Sequence, residues 1–401
     1  MKKTSSTRKL AVKGFQFAGI SSGIKKTGDK DLALIFSEVP ATTVGMFTTN
    51  QIKAAPVKLA IKRLSGEKKC QAIIINSGNA NACTGQEGMK NAREMIVKTA
   101  SALGISPDLV NVSSTGVIGE QLPMNKIIKA IPDLARHLSP LSLDATANAI
   151  MTTDRFPKVI SKKVRIGNRT GTIAGITKGA GMICPNMATM LCYILTDISI
   201  SNKLMERALK DAVARSFNRL AVDNDMSTND SVFAMANGLL GNDPVIRGSK
   251  EYKEFRAKLS ELTYDLAKMI ARDGEGATKL VEVIVKGAKS ETDADKVAKA
   301  VSGSMLVKTA VYGNDPNWGR IVAAAGYSGV NINENKIDIY IGRVKVMSNG
   351  VGTNKEKLAS RALQNEKVVI TVDLGSGNKM VKALSCDLTE KYIAINAEYR
   401  T

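Results

Sequence analysis

Apolar and polar positions alternate along this chain in two periods. Short apolar runs predict buried strands at Asp31 to Phe36, Thr43 to Thr48, Ala72 to Ile75, Leu109 to Val112 and Met190 to Leu195. Further strands are predicted at Leu280 to Val285, Lys336 to Ile341, Lys367 to Asp373 and Tyr392 to Asn396. A hairpin is expected from Val164 to Ile176, across Gly167-Asn168-Arg169-Thr170. Three-to-four spacing of Met89, Ala92, Met95, Ile96, Thr99, Ala100 and Leu103 predicts an amphipathic helix over Gln86 to Leu103, stopped by Gly104. The same period predicts helices at Met124 to Leu138 (interrupted near Pro132), Leu143 to Ile150, Asn202 to Phe217, Glu251 to Ala271 and Ala294 to Gly303. Val12 to Ile24 reads as a loop and turn. Strands interspersed with helices throughout make the chain a mixed α/β protein, with layered sheets and helices.

The punctuation between these elements carries the chemistry. Asn76-Ser77-Gly78-Asn79-Ala80-Asn81-Ala82-Cys83-Thr84-Gly85 reads as a loop of small residues at the end of a buried strand. Ser113-Ser114-Thr115-Gly116-Val117-Ile118-Gly119 is a second loop after a strand, able to point backbone amides at one spot. In Lys178-Gly179-Ala180-Gly181-Met182-Ile183-Cys184-Pro185-Asn186-Met187-Ala188-Thr189-Met190-Leu191 the glycines and Pro185 oppose regular structure, so Thr189 stands where an irregular stretch enters a buried strand. A Thr hydroxyl is a weak nucleophile and needs an adjacent base.

Composition narrows the classes. With 401 residues and 44% hydrophobic content the chain is long enough for two or three domains with a sizeable core. The formal charge of +20 allows nucleic-acid or anionic-membrane binding, but the cations are spread along the chain, aromatics are only 4%, and no nucleic-acid signature is present. A solvated basic surface, with no nucleic-acid partner, is therefore expected. Cys70, Cys83, Cys184, Cys192 and Cys386 lack metal or Cys-x-x-Cys spacing and read as free thiols. Asp223 to Ser231 holds three acids but lacks the calcium-loop pattern; an Asx-rich turn capping a helix from Asp230 is expected, and no metal site. His137, the only histidine, reads as a helix-surface residue. No apolar run is long enough to span a membrane, and Met1-Lys2-Lys3 is followed by polar residues rather than a signal core, so a cytoplasmic protein is expected.

From about Val12 to Thr401 the chain resembles the bifunctional glutamate N-acetyltransferase/ornithine acetyltransferase family. The resemblance rests on the Lys178-to-Leu191 stretch, the Asn76-to-Gly85 motif, the Ser113-to-Gly119 loop and Tyr312-Gly313-Asn314-Asp315-Pro316-Asn317-Trp318-Gly319-Arg320-Ile321, where Asp315 is expected to cap a helix. It implies an Ntn-hydrolase-like architecture with a different chain order. It implies self-cleavage between Ala188 and Thr189, giving an alpha chain over 1–188 and a beta chain over 189–401 assembled as a heterotetramer of two of each. Thr189 becomes the nucleophile, and Thr115 and Gly116 form the oxyanion hole. Thr152, Lys178, Glu275, Asn396 and Thr401, with Thr189, bind substrate. The implied reaction moves acetyl from N2-acetyl-L-ornithine to L-glutamate with no required cofactor, and leaves open acetyl-CoA as a second donor. Arg155, Asn224 and Met226 depart from the family's usual Thr, Gly and Thr. A self-processing aminopeptidase of similar architecture is the alternative, separated by assaying acetyl transfer against peptide hydrolysis.

Overall fold

A computed structural model describes residues 12–66, 68–184 and 190–398. These form two compact units from interleaved segments: residues 12–179, 190–213 and 226–266 in the first, and 180–184, 214–225 and 267–398 in the second. Each unit thus draws on chain from both sides of residues 185–189.

The first unit holds an eight-stranded mixed sheet. Its strands are β1 (Phe15–Ile20), β2 (Leu32–Phe47), β3 (Lys69–Asn79), β4 (Val110–Val117), β5 (Lys158–Ile166), β6 (Arg169–Lys178), β7 (Leu191–Thr196) and β8 (Ser231–Ala236). The order is β4-β3-β2-β8-β7-β6-β5, with β1 pairing β2 off this path. β3 runs parallel to β4, and β7 parallel to β8; the other neighbours are antiparallel. Both faces of this sheet are buried, which explains why its strands read as continuous apolar runs. Along β3, Ile73 and Ile75 join one apolar cluster with Tyr193 and Phe233, while Ala72 and Ile74 join another with Met95, Ile96 and Ile127. Helices α1 (Ala55–Leu64), α2 (Gly85–Leu103), α3 (Met124–Arg136), α4 (Leu143–Ala149) and α5 (Asn202–Ala214) belong here, with α6 (Lys250–Arg272) through Leu266.

The second unit has a six-stranded sheet of β9 (Leu280–Ala288), β10 (Asp338–Ile341), β11 (Val344–Ser348), β12 (Val351–Gly352), β13 (Lys367–Asp373) and β14 (Lys379–Cys386), ordered β12-β11-β10-β13-β9-β14. Here β13 alternates strictly, burying Val368, Ile370 and Val372 and leaving their neighbours half-buried or exposed. Those residues pack with Val297 and Val301 of α7 (Glu291–Gly303) and Ile321 and Ala324 of α9 (Trp318–Gly326). Helices α8 (Met305–Tyr312), α10 (Glu356–Leu363) and α11 (Glu390–Ala397) complete the unit.

Several expectations need correction. Residues 15–20 of the expected loop form β1, whose Phe15, Phe17 and Ala18 are buried. The two strands expected between Asp31 and Thr48 are one, β2, whose register to β3 breaks between Phe36 and Ala41, around Pro40. Pro132 does not interrupt α3, because buried Ile127, Ile131 and Leu134 hold the helix across it. The helix at Asn202 ends at Ala214 rather than at Phe217. Asp230 caps no helix; it precedes β8 and accepts a hydrogen bond from Met190 N at 3.0 Å. Asn317, not Asp315, caps α9, accepting from Arg320 N. Tyr392 to Asn396 is not a strand but most of α11, whose Ile393 is 68% exposed. Its Tyr-Ile-Ala-Ile sequence imitates strand alternation.

Candidate active site

The Asn76 stretch is strand before it is loop. β3 runs on to Asn79, because its polar side chains find partners inside the unit. Asn76 Nδ2 donates to Asn79 O at 2.8 Å, Ser114 Oγ donates to Asn76 Oδ1 at 2.6 Å, and Ser77 Oγ donates to Ala149 O at 2.6 Å. β4 likewise extends to Val117, so Thr115 and Gly116 lie on its final residues, paired with Ser77 and Gly78. Gly116 has φ +134°, and a Cβ there would come within 2.3 Å of Gly78 C. No other residue fits that approach without moving backbone.

β6 delivers Lys178 as its last residue. The Lys178 ammonium donates to Thr152 Oγ1 at 2.7 Å and to Thr115 Oγ1 at 3.4 Å. Three of the expected site residues, from three separate segments of the first unit, therefore meet at one buried ammonium. Below them lies a residue the sequence reading left unassigned. Asp154 Oδ2 stands 3.9 Å from Lys178 Nζ, and its Oδ1 accepts from Lys158 Nζ at 2.6 Å and from Gly179 N at 2.7 Å. The Asp154 and Lys158 side chains are fully buried. Burial pushes the Asp154 carboxyl up, but the Lys178 and Lys158 charges and the bonds from Lys158 and Gly179 outweigh it and hold it down at about 2. Asp230 behaves oppositely: burial lifts its carboxyl well above the ordinary range, against the bond from Met190 N and the Lys178 charge.

In the second unit, Glu275 N donates to Ala180 O at 2.9 Å, and Glu275 Oε2 accepts from Asn396 Nδ2 at 2.8 Å. Glu275 is only 8% exposed, and a Cβ on Gly181 would fall 2.3 Å from its carboxylate carbon. The structure so joins two more expected site residues. Asp223 accepts from Met182 N at 2.6 Å and Ile183 N at 2.7 Å, fixing the chain just before residues 185–189. Met182 has φ +56°, unusual for a side chain with a Cβ. Burial raises the Asp223 carboxyl to about 6, against the backbone bonds from Ile183, Met182 and Asp225. The Tyr392 hydroxyl is pushed up by burial, then by Asp223 and Glu275. Ala188, Thr189 and Thr401 lie outside the described residues. No group of three or more metal-ligating side chains occurs among the described residues, nor any helix long and apolar enough to cross a membrane.

In the first unit, a buried ammonium thus bridges the Thr115 hydroxyl, near the end of β4, and the Thr152 hydroxyl, in the segment before β5. What kind of protein carries this arrangement follows from comparison. The model of the ArgJ family matches residues 16–401. The arginine biosynthesis bifunctional protein ArgJ of Geobacter sulfurreducens is 47% identical over 394 residues, covering 98% of this chain and 100% of the relative. That of Symbiobacterium thermophilum is 49% identical over 392 residues, covering 97% of each. A crystal structure of arginine biosynthesis bifunctional protein ArgJ from Bacillus halodurans aligns with a TM-score of 0.50 at 45% identity, over 51% of this chain and 97% of that one. This chain belongs to the ArgJ family, enzymes of arginine biosynthesis.

Proposed function

We propose that this enzyme moves an acetyl group from N2-acetyl-L-ornithine to L-glutamate through an acetyl-threonine, after cutting itself between Ala188 and Thr189. The observation that carries the reading is the Lys178 ammonium held against Thr152 and Thr115 at the end of β6. It supplies a buried positive charge suited to the carboxylate that both amino-acid substrates share. In the cut, Thr189 Oγ attacks the Ala188 carbonyl carbon, the C–N bond breaks, and the nitrogen takes a proton to become the Thr189 amine. Water then hydrolyses the resulting ester, leaving an alpha chain ending at Ala188 and a beta chain beginning at Thr189. Two of each assemble as the heterotetramer. Pairing of β6, before the cut, with β7, after it, supports the two staying together.

In transfer, Thr189 Oγ attacks the acetamide carbon and passes its proton to its own amine. Amides at Thr115 and Gly116 hold the oxyanion; one such donor is worth about 3 kcal/mol. The C–N bond breaks, the departing ornithine nitrogen takes the proton, and acetyl-Thr189 remains. The glutamate amine attacks that ester, releasing N-acetylglutamate and restoring the hydroxyl. Lys178 and Thr152 receive the substrate carboxylate. Glu275 receives the ornithine side-chain ammonium, and Asn396 orients Glu275; Thr401 completes the substrate contacts. No cofactor is needed. The bifunctional name of the relatives supports acetyl-CoA as a second donor. The setting is cytoplasmic, with small molecules rather than nucleic acid or membrane as partners.

Intact-mass spectrometry tests this directly. The purified protein is expected as two chains, and acetylornithine alone is expected to add one acetyl mass to the chain beginning at Thr189. Glutamate is expected to remove it. Full-rate transfer with no adduct in rapid-quench samples would refute the acyl-enzyme.

A further inference from the structure

Asp154 occupies a position that the proposed reaction leaves without a task. Four contacts of its buried carboxylate are described, and three concern the site: Thr152 N donates to Oδ2 at 3.0 Å, Gly179 N donates to Oδ1 at 2.7 Å, and Lys178 Nζ lies 3.9 Å from Oδ2. The fourth is the close pair with Lys158 at 2.6 Å. A buried carboxylate must be compensated, and the two lysines do this unequally. Lys158 makes the short contact. It is held in turn over the Phe156 ring, 5.0 Å from its centre. The longer distance to Lys178 leaves that ammonium turned toward the hydroxyls of Thr152 and Thr115. Gly179 has φ +148°, a backbone state that side chains with a Cβ avoid, and its N–H is fixed by the same carboxylate.

We propose that Asp154 is a positioning residue for acetyl transfer: with Lys158 as its counter-ion, it holds Lys178, Thr152 and the Gly179 backbone in the one arrangement that receives a substrate carboxylate. Lysine has a flexible four-carbon stem and a charge without direction, so its aim must come from its surroundings. Asp154 supplies that aim, and Lys158 prevents Asp154 from drawing Lys178 down into a close pair. The inference rests on the reading that Lys178 meets the substrate carboxylate.

The test compares acetylornithine with its α-carboxamide, using glutamate as acceptor and the processed protein. In Asp154→Asn, KM for acetylornithine is expected to rise about 10- to 100-fold, as for loss of a charge-assisted contact. KM for the carboxamide is expected to change less than about threefold, and kcat to stay within a few-fold for both. General structural damage would weaken both substrates alike, and that result would overturn the inference. Asp154→Asn alone leaves Lys158 buried without its close partner. The double variant Asp154→Asn/Lys158→Met removes that charge pair together and is expected to show the same selective loss. A folded double variant with the wild-type preference for acid over amide overturns the inference. Lys178→Met separates the two claims. Acid preference that survives Lys178→Met overturns the Lys178 reading itself; preference lost in Lys178→Met but kept in Asp154→Asn overturns only the role of Asp154.

Discussion

Replacing Glu275 with Gln removes one negative charge and little else. The side chain keeps its size, which matters because Gly181 lies against the carboxylate with no room for a Cβ. The amide oxygen of Gln can still accept the bond that Asn396 Nδ2 now gives at 2.8 Å. What is lost is the proposed interaction with the ornithine side-chain ammonium. Glu275 is 8% exposed, so a charge-assisted bond there is poorly screened. Such a bond is worth about 1.5–3 kcal/mol, or about a 10- to 150-fold change in affinity. In N2-acetylornithine the α-amine is capped, and the only ammonium is on the side chain. Glutamate brings a carboxylate on its side chain instead. Glu275→Gln should therefore raise KM for acetylornithine about 10- to 150-fold and leave KM for glutamate unchanged or lowered. Initial rates over a grid of both substrates measure the two constants separately, since a ping-pong scheme gives parallel double-reciprocal lines. Equal rises for both substrates would refute the assignment. They would place Glu275 at the part the substrates share, the α-amino-acid end.

Thr189→Ala should leave the chain uncut, with no acetyl adduct after incubation with acetylornithine; a cut persisting in that variant would remove Thr189 as its agent. The pH dependence of stability should carry the mark of Asp223. Its carboxyl sits at about 6 in the folded chain against the ordinary 3.8, so between those values the folded chain holds a proton that the unfolded chain has released. Stability is therefore highest below about 4 as far as this group is concerned, falls as pH rises through about 6, and is flat beyond, a loss of about 3 kcal/mol. Melting temperatures of the wild type should drop across that window, and those of Asp223→Asn should drop less; identical slopes would refute the assignment.

Much of the fold was readable because burial writes itself into apolar period. α2 runs over Gly85–Leu103 against an expected Gln86 to Leu103, and β7 is Leu191–Thr196 against Met190 to Leu195. Around the two loops of small residues, polarity imitates exposure. Asn76, Ser77, Asn79, Ser113, Ser114 and Thr115 look like loop residues, yet all are buried at the ends of paired strands. Asn229 Nδ2, from a different part of the chain, donates to Ala80 O and Ser114 O and so satisfies carbonyls that a loop would turn to water. Periodicity cannot show a polar residue whose partner lies 115 positions away.

The site divides along the same line. Motifs pointed to Thr115, Thr152 and Lys178 one at a time, and the structure brings them to one ammonium. Asp154 and Lys158 were invisible because an acid and a lysine four residues apart, with Pro157 between them, ordinarily mean a solvated turn. They form a buried pair only because β5 begins at Lys158, which lies opposite Thr177, the residue before Lys178. One strand register thus sets both lysines beside one carboxylate. Shifting β5 by a single residue would turn Lys158 to the other face of the sheet and carry the Asp154 segment along with it, so both the buried pair and its 3.9 Å approach to Lys178 depend on this pairing. The placing of Lys178 is accordingly a property of the sheet's register as much as of any residue in the motif around it.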